Sequence, residues 1–149
     1  MLVDSQTKQL TVPEIIATAT KETLSQYSPA AVLASVYEEL KQPQTYSIIE
    51  GNTLFIIHKG KGRNGMFRAL NADVPANYLN NCLVFSGAAY KLGFDSLVTQ
   101  FKDKSLLNIF RFVEKNRRKV NPDMGFLAQQ GENGDYIVTV KLGPERAGE

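Results

Sequence analysis

The sequence predicts a layered α/β domain, with helices covering a central sheet. Three observations carry this. Apolar residues recur at helical spacing in four segments. Short runs rich in Ile, Val, Phe and Thr read as strands. The two kinds of segment interleave along the chain rather than falling into separate halves. The 149 residues suit one domain. Hydrophobic residues at 43% and charged residues at 21% give enough apolar surface for a core and too much for disorder.

Residues 1–10 form a candidate first strand. Thr11 is placed as an N-cap, with Pro13 in the first turn and Glu14 three residues on, a capping-box spacing. Ile15, Ile16 and Ala19 give that helix its apolar stripe, which runs to about Gln26. Ser28-Pro29 repeats the start signal, and Val32, Leu33, Val36, Tyr37 and Leu40 mark a second helix that Pro43 ends. Tyr46–Ile49 and Thr53–Ile57 are strands joined by Gly51-Asn52, a tight hairpin turn. Met66–Asn71 alternates as a third strand. A long apolar face from Ala76 to Leu92 is a helix, ended by Gly93 at the C′ position.

Ser96–Phe101 is the next strand. Asp103 or Ser105 caps a helix with Leu106, Leu107, Ile109, Phe110 and Val113 on its core side. Lys115, Arg117, Arg118 and Lys119 complement that helix's C-terminal dipole. Met124–Ala128 and Tyr136–Leu142 make a closing hairpin around Gly131–Gly134. The order is (β)ααβββαβαββ. One domain over residues 1–143 and a flexible tail over 144–149 are expected.

Composition excludes several classes. The 17 basic and 15 acidic side chains leave a net charge of +2, less basic excess than many nucleic-acid binders carry. A lone cysteine, Cys82, forbids an internal disulfide and fits a reducing compartment. One His and one Cys cannot build a Cys/His zinc cage, so no metal is expected. No apolar run approaches the roughly 18–20 residues that span a bilayer. The N-terminus has an early Asp4 and no long apolar stretch, so no signal peptide is read there. A cytoplasmic location is expected.

Gly60–Gly65, GKGRNG, matches the spacing G-x-G-x-x-G. A dinucleotide fingerprint must open a helix, so that phosphate meets the helix N-terminus. This one leads into a predicted strand, and no Ser or Thr follows a Lys to complete a P-loop. The expectation is a hairpin loop with its lysines and arginine in water.

The element order resembles the GCN5-related N-acetyltransferase (GNAT) superfamily over almost the whole chain. Two stretches add to it: LVTQFKDKSLLNIFRFVEKN, a strand running into a capped helix, and MGF ahead of the last hairpin. The resemblance implies a mixed central sheet flanked by helices. It also implies acyl-CoA chemistry in which an amine attacks a thioester. Pantetheine would then lie in a splay between the strands at 66–72 and 96–101.

The superfamily's Q/R-x-x-G-x-G/A pyrophosphate loop falls here on DVPANYLNN, which has no glycine. Ala76, Asn77, Tyr78 and Asn80 would be the CoA contacts, if acetyl-CoA or another acyl-CoA binds. Side chains there crowd the backbone approach to phosphate. Residues 102–116 contain no tyrosine to act as general acid; Phe110, Phe112 and Val113 occupy that region. Asp73, at the end of the third strand, and His58 are the candidate bases. FRALNAD, AAYKLGF and VKLGPERAG further resemble small GNAT-like proteins of short-tailed bacteriophages, some of them virion-associated.

Three functions follow. The first is a GNAT-like domain with degenerate acyl-CoA chemistry, a binding or structural accessory partnered by other proteins such as virion components. The second is an active N-acyltransferase. The third is a nucleic-acid-binding accessory using Lys59, Lys61, Arg63, Arg68 and the 115–119 run, chiefly Arg117 and Arg118. Cys82, on an apolar helical face, is expected in the core, and His58 in a strand is expected to be structural. Glu38, Glu39 and Glu50 are expected in solvent.

Overall fold

A computed structural model describes residues 2–4, 8–21 and 23–146. Among these residues, four α-helices and six strands follow in the predicted interleaved order: α1 (Val12–Ala19), α2 (Pro29–Leu40), β1 (Thr45–Glu50), β2 (Thr53–Lys59), β3 (Asn64–Asn71), α3 (Pro75–Leu92), β4 (Ser96–Phe101), α4 (Leu107–Arg117), β5 (Gly125–Gln130) and β6 (Tyr136–Lys141). The six strands form one mixed sheet in the order β1-β2-β3-β4-β6-β5. The chain falls into two compact units: residues 1–58 with 68–81, and residues 59–67 with 82–149.

In the first unit, α1 begins on the expected capping box. Glu14 N donates to Thr11 Oγ1, and Thr11 N donates to Glu14 Oε1 at 2.9 Å. The helix ends at Ala19, well short of Gln26; a 3-10 turn over Thr23–Ser25 follows. Ser28 caps α2 through Ala31 N. Ile15, Ile16, Val32 and Val36 from these helices pack with Leu10, Leu54, Ile56, Leu70 and Ala72 as one core. Ile15 and Ile16 are fully buried, and each contributes about 2 kcal/mol of apolar burial. β1 and β2 pair antiparallel from Thr45↔His58 to Glu50↔Thr53, and Gly51 turns between them at φ 55°.

The candidate first strand is reduced to one parallel bridge between Val3 and Asp73. Val3 N donates to Ala72 O and Val74 N to Val3 O. Ser5–Thr7 lie outside the described residues.

In the second unit, β4 runs parallel to β3 over Asn64↔Ser96, Gly65↔Leu97 and Met66↔Val98. On its other side β4 pairs antiparallel with β6 along its full length, Ser96↔Lys141 to Phe101↔Tyr136. Thr99–Phe101 therefore have a ladder neighbour only on the β6 side, among the described residues. β5 completes the hairpin with β6. Asp103 caps the turn into α4 by accepting from Ser105 N. The MGF glycine, Gly125, lies where an added Cβ would be 3.4 Å from Glu114 Oε2, and Phe126 N donates to that same oxygen. This ties β5 to α4.

In the tail, Pro144 and Arg146 make hydrogen bonds. Tyr90 Oη donates to Pro144 O at 3.0 Å, and Arg146 N donates to Asp95 Oδ2 at 2.9 Å. Gly143 makes this possible: a Cβ there would stand 2.6 Å from both Asn121 Nδ2 and Tyr90 Cε1. Residues 147–149 lie outside the described residues.

Candidate functional site

GKGRNG turns the chain from β2 into β3. Gly60 N donates to Asn64 O at 2.7 Å, and Gly62 takes φ 65°, a conformation that suits glycine. No helix follows, so the loop lacks the geometry of a dinucleotide site. Lys61 is exposed, as expected. Arg63 is half-buried: its backbone carbonyl accepts from Asp95 N at 2.7 Å, and its Nη1 reaches Gly93 O at 3.5 Å. The loop tip is thus fastened to the start of β4 instead of standing free in water.

Asp73 is fully buried. Its Oδ2 accepts from Asn52 N and from Asn81 Nδ2, both at 2.7 Å, and its Oδ1 accepts from Asn52 Nδ2 at 3.2 Å. Asn81 also donates to Thr53 Oγ1, and Thr53 donates to Asn71 Oδ1. Asn52 in turn accepts from Leu10 N and donates to Lys8 O. Every link serves the β1–β2 turn or the segment leading into α1. A general base must reach a substrate proton, and this carboxylate faces only its own donors.

His58 closes a different chain. Its Nε2 lies 2.7 Å from Glu39 Oε2 and its Nδ1 3.2 Å from Thr45 Oγ1. With Nε2 donating to the carboxylate, Nδ1 pairs with the threonine hydroxyl, accepting from it when the ring is neutral and donating to it when the ring is charged. Arg68 forks onto the same glutamate: Nη2 donates to Oε1, and Nε to Oε2 at 3.2 Å. Burial pushes the Glu39 carboxyl up, but the hydrogen bonds and charges of Arg68 and His58 outweigh it and hold the pKa below the usual range. Glu39, expected in solvent, is therefore the hub of the cluster. The sequence signal is its place on the α2 turn after Val36; its partners come from strands 19 and 29 residues away, beyond the reach of helical periodicity. Glu38 stays exposed beside Lys41.

Residues Ala76, Asn77, Tyr78 and Asn80 occupy the first turns of α3. The first helical bond is Tyr78 N to Val74 O, so the amides of Ala76 and Asn77 precede the ladder, as orphan donors of a helix start do. Ala76 and Asn80 are exposed, while Asn77 and Tyr78 are half-buried. Asn77 Nδ2 donates to Asp4 Oδ1 at 2.8 Å.

The basic residues do not behave alike. Lys59 and Lys61 are exposed. Arg117 lies against Gly87, whose added Cβ would come within 3.2 Å of its Nη1. Arg118 Nε donates to Met124 O at 2.8 Å, holding the connection into β5. Cys82 is buried, as expected. Among the described residues no group of three His, Cys, Asp or Glu side chains could hold a metal ion, and no helix is long and apolar enough to cross a membrane.

No protein-family model matches the sequence, and no curated protein matches it. The crystal structure of aminoglycoside 6'-acetyltransferase type Ii matches the fold with a TM-score of 0.59. The match covers 91% of this chain and 92% of that one at 9% identity. The fold, a mixed six-stranded sheet with four α-helices among the described residues, is therefore GNAT-like. At that identity the likeness speaks for architecture alone.

Proposed function

We propose that the chain is a GNAT-like domain whose acyl-CoA chemistry is degenerate and which acts as a binding or structural accessory to other proteins. The observation that carries this is the state of the two candidate bases. Asp73 is sealed, with both oxygens accepting internal hydrogen bonds. Both ring nitrogens of His58 are engaged, by Glu39 and Thr45. The absence of tyrosine from 102–116 removes the superfamily's usual acid as well. The phage-like stretches FRALNAD, AAYKLGF and VKLGPERAG point to virion components as the partners. Calorimetry with acetyl-CoA, followed by an assay of acyl transfer to a panel of amines, tests the reading. The expected result is no transfer to any amine; turnover that survives purification would overturn it.

A second reading, an active acyl-CoA-dependent N-acyltransferase, has one observation in its favour. Thr99–Phe101 of β4 have a ladder neighbour on the β6 side only, which leaves backbone groups that a pantetheine arm could pair with. Backbone pairing needs no particular side chain. Such an enzyme would rely on orientation and on N–H donors to the thioester oxygen more than on a side-chain base.

A further inference from the structure

At the other end of β4 from Thr99–Phe101 lies a cavity of about 430 Å³. It opens where β3 and β4 begin and β6 ends, and it lies wholly within the second unit. Gly62, Arg63 and Asn64 from the loop, Asp95 and Ser96 from the start of β4, Lys141 from the end of β6, and Glu145 and Arg146 from the tail line it. Its size falls in the range of small-molecule sites.

The charges are arranged unevenly. Asp95 is committed to Arg146, whose backbone N donates to Oδ2 and whose Nε donates to Oδ1 at 2.6 Å. The face of the Arg146 guanidinium stacks on Tyr90, with Cζ 3.9 Å from the ring centroid. Two constraints therefore fix its plane. Its Nη2 is buried and has no hydrogen-bond partner among the described residues. Lys141 makes no ion pair among the described residues. Arg63 supplies a third cation, close enough to Asp95 to help hold its pKa down. Against these stands Glu145, exposed on the tail. Ser96 Oγ and Asn64 Oδ1, at 2.5 Å, add a hydroxyl and an amide to the rim.

We infer that this cavity is a binding site for a small oxyanion, a phosphate or carboxylate group of a small molecule, held by Lys141, Arg63 and the fixed guanidinium of Arg146. Two guanidinium groups and one ammonium group line the cavity against two carboxylates, one of which, Asp95, is taken up by Arg146, a lining that suits a small oxyanion. The site stands apart from any use of Thr99–Phe101 and does not depend on whether a thioester binds there.

The test is a titration of the full chain with inorganic phosphate and, separately, with succinate, against sodium chloride at matched ionic strength. Amide and arginine Nε shifts are the readout. Saturable shifts confined to 62–64, 95–96 and 141–146 are expected, with roughly millimolar affinity or better. Lys141→Gln, at an exposed strand end, is expected to weaken binding at least about fivefold while the thermal midpoint stays unchanged. Arg146→Lys keeps the charge but loses the planar fork, and is expected to weaken it too. Preference for phosphate or for succinate identifies which oxyanion the site takes. Shifts equal to those in chloride, or affinities unchanged in both variants, overturn the inference.

Discussion

Asp73 shows how a residue that looks chemical can be structural. Its carboxylate replaces water with one backbone amide and two side-chain amides, all near 3 Å or shorter. Asp73→Asn puts an NH₂ where an oxygen accepts, so a donor meets a donor. The expected loss is about 1–3 kcal/mol in urea unfolding, with the β1–β2 hairpin most exposed to exchange. A change within error would mean the network is not what holds the turn. Gly51 belongs to the same lock: besides its φ of 55°, a Cβ there would come within 2.8 Å of Asn81 Oδ1 and Asp73 Oδ2.

Single elements bring their own expectations. The capping box of α1 satisfies two backbone or side-chain donors at a helix of only eight residues. Thr11→Ala is therefore expected to lower stability by about 1 kcal/mol, read as a drop in thermal midpoint. At the other end of the chain, Gly143 admits the tail against Tyr90 and Asn121. Gly143→Ala forces those side chains apart, an overpacking cost of about 1–3 kcal/mol. Its specific mark would be loss of the Arg146 Nε shift that the Asp95 pairing produces. The destabilisation without that spectral change would place the strain elsewhere.

At the scale of the whole molecule, acid should be more damaging than base near neutrality. Burial raises the Glu39 and Asp95 pKa values, but the hydrogen bonds and cations of Arg68 and His58, and of Arg146 and Arg63, prevail and leave both lowered in the folded state. A depressed carboxyl contributes stability that is fully present above its unfolded pKa, near 4.5 for Glu39 and 3.8 for Asp95. That contribution is lost as pH falls through the folded values. Urea midpoints are expected to be flat from pH 7 to about 5 and to fall below it. Glu39→Gln and Asp95→Asn should each flatten the fall. A profile equally steep in both variants would assign acid sensitivity to other carboxyls. The small net charge of +2 also sets an expectation for DNA. With Arg117 packed beside Gly87 and Arg118 donating to Met124 O, binding is expected to be weak, with a shallow salt slope in a fluorescence titration.

Periodicity, caps and turn residues by themselves determined the elements and their order. Those signals are local: Thr11 and Ser28 start helices, Gly51-Asn52 turns a hairpin, and Gly93 ends α3 because backbone sterics and orphan amides act within a few residues. The likeness of element order to GNAT proteins followed from the same information. Only the tertiary structure decided which polar residues are spent on the fold. Asp73 meets Asn52 and Asn81, His58 meets Glu39, and Asp95 meets Arg146 across separations of 8 to 51 residues. No periodicity reports such pairings, because side-chain hydrogen bonds depend on where distant segments bring their donors. The same holds for the tail and for the cavity beside it. PERAGE reads as a polar end, yet a glycine without a Cβ, an aromatic ring and one carboxylate hold its arginine in place.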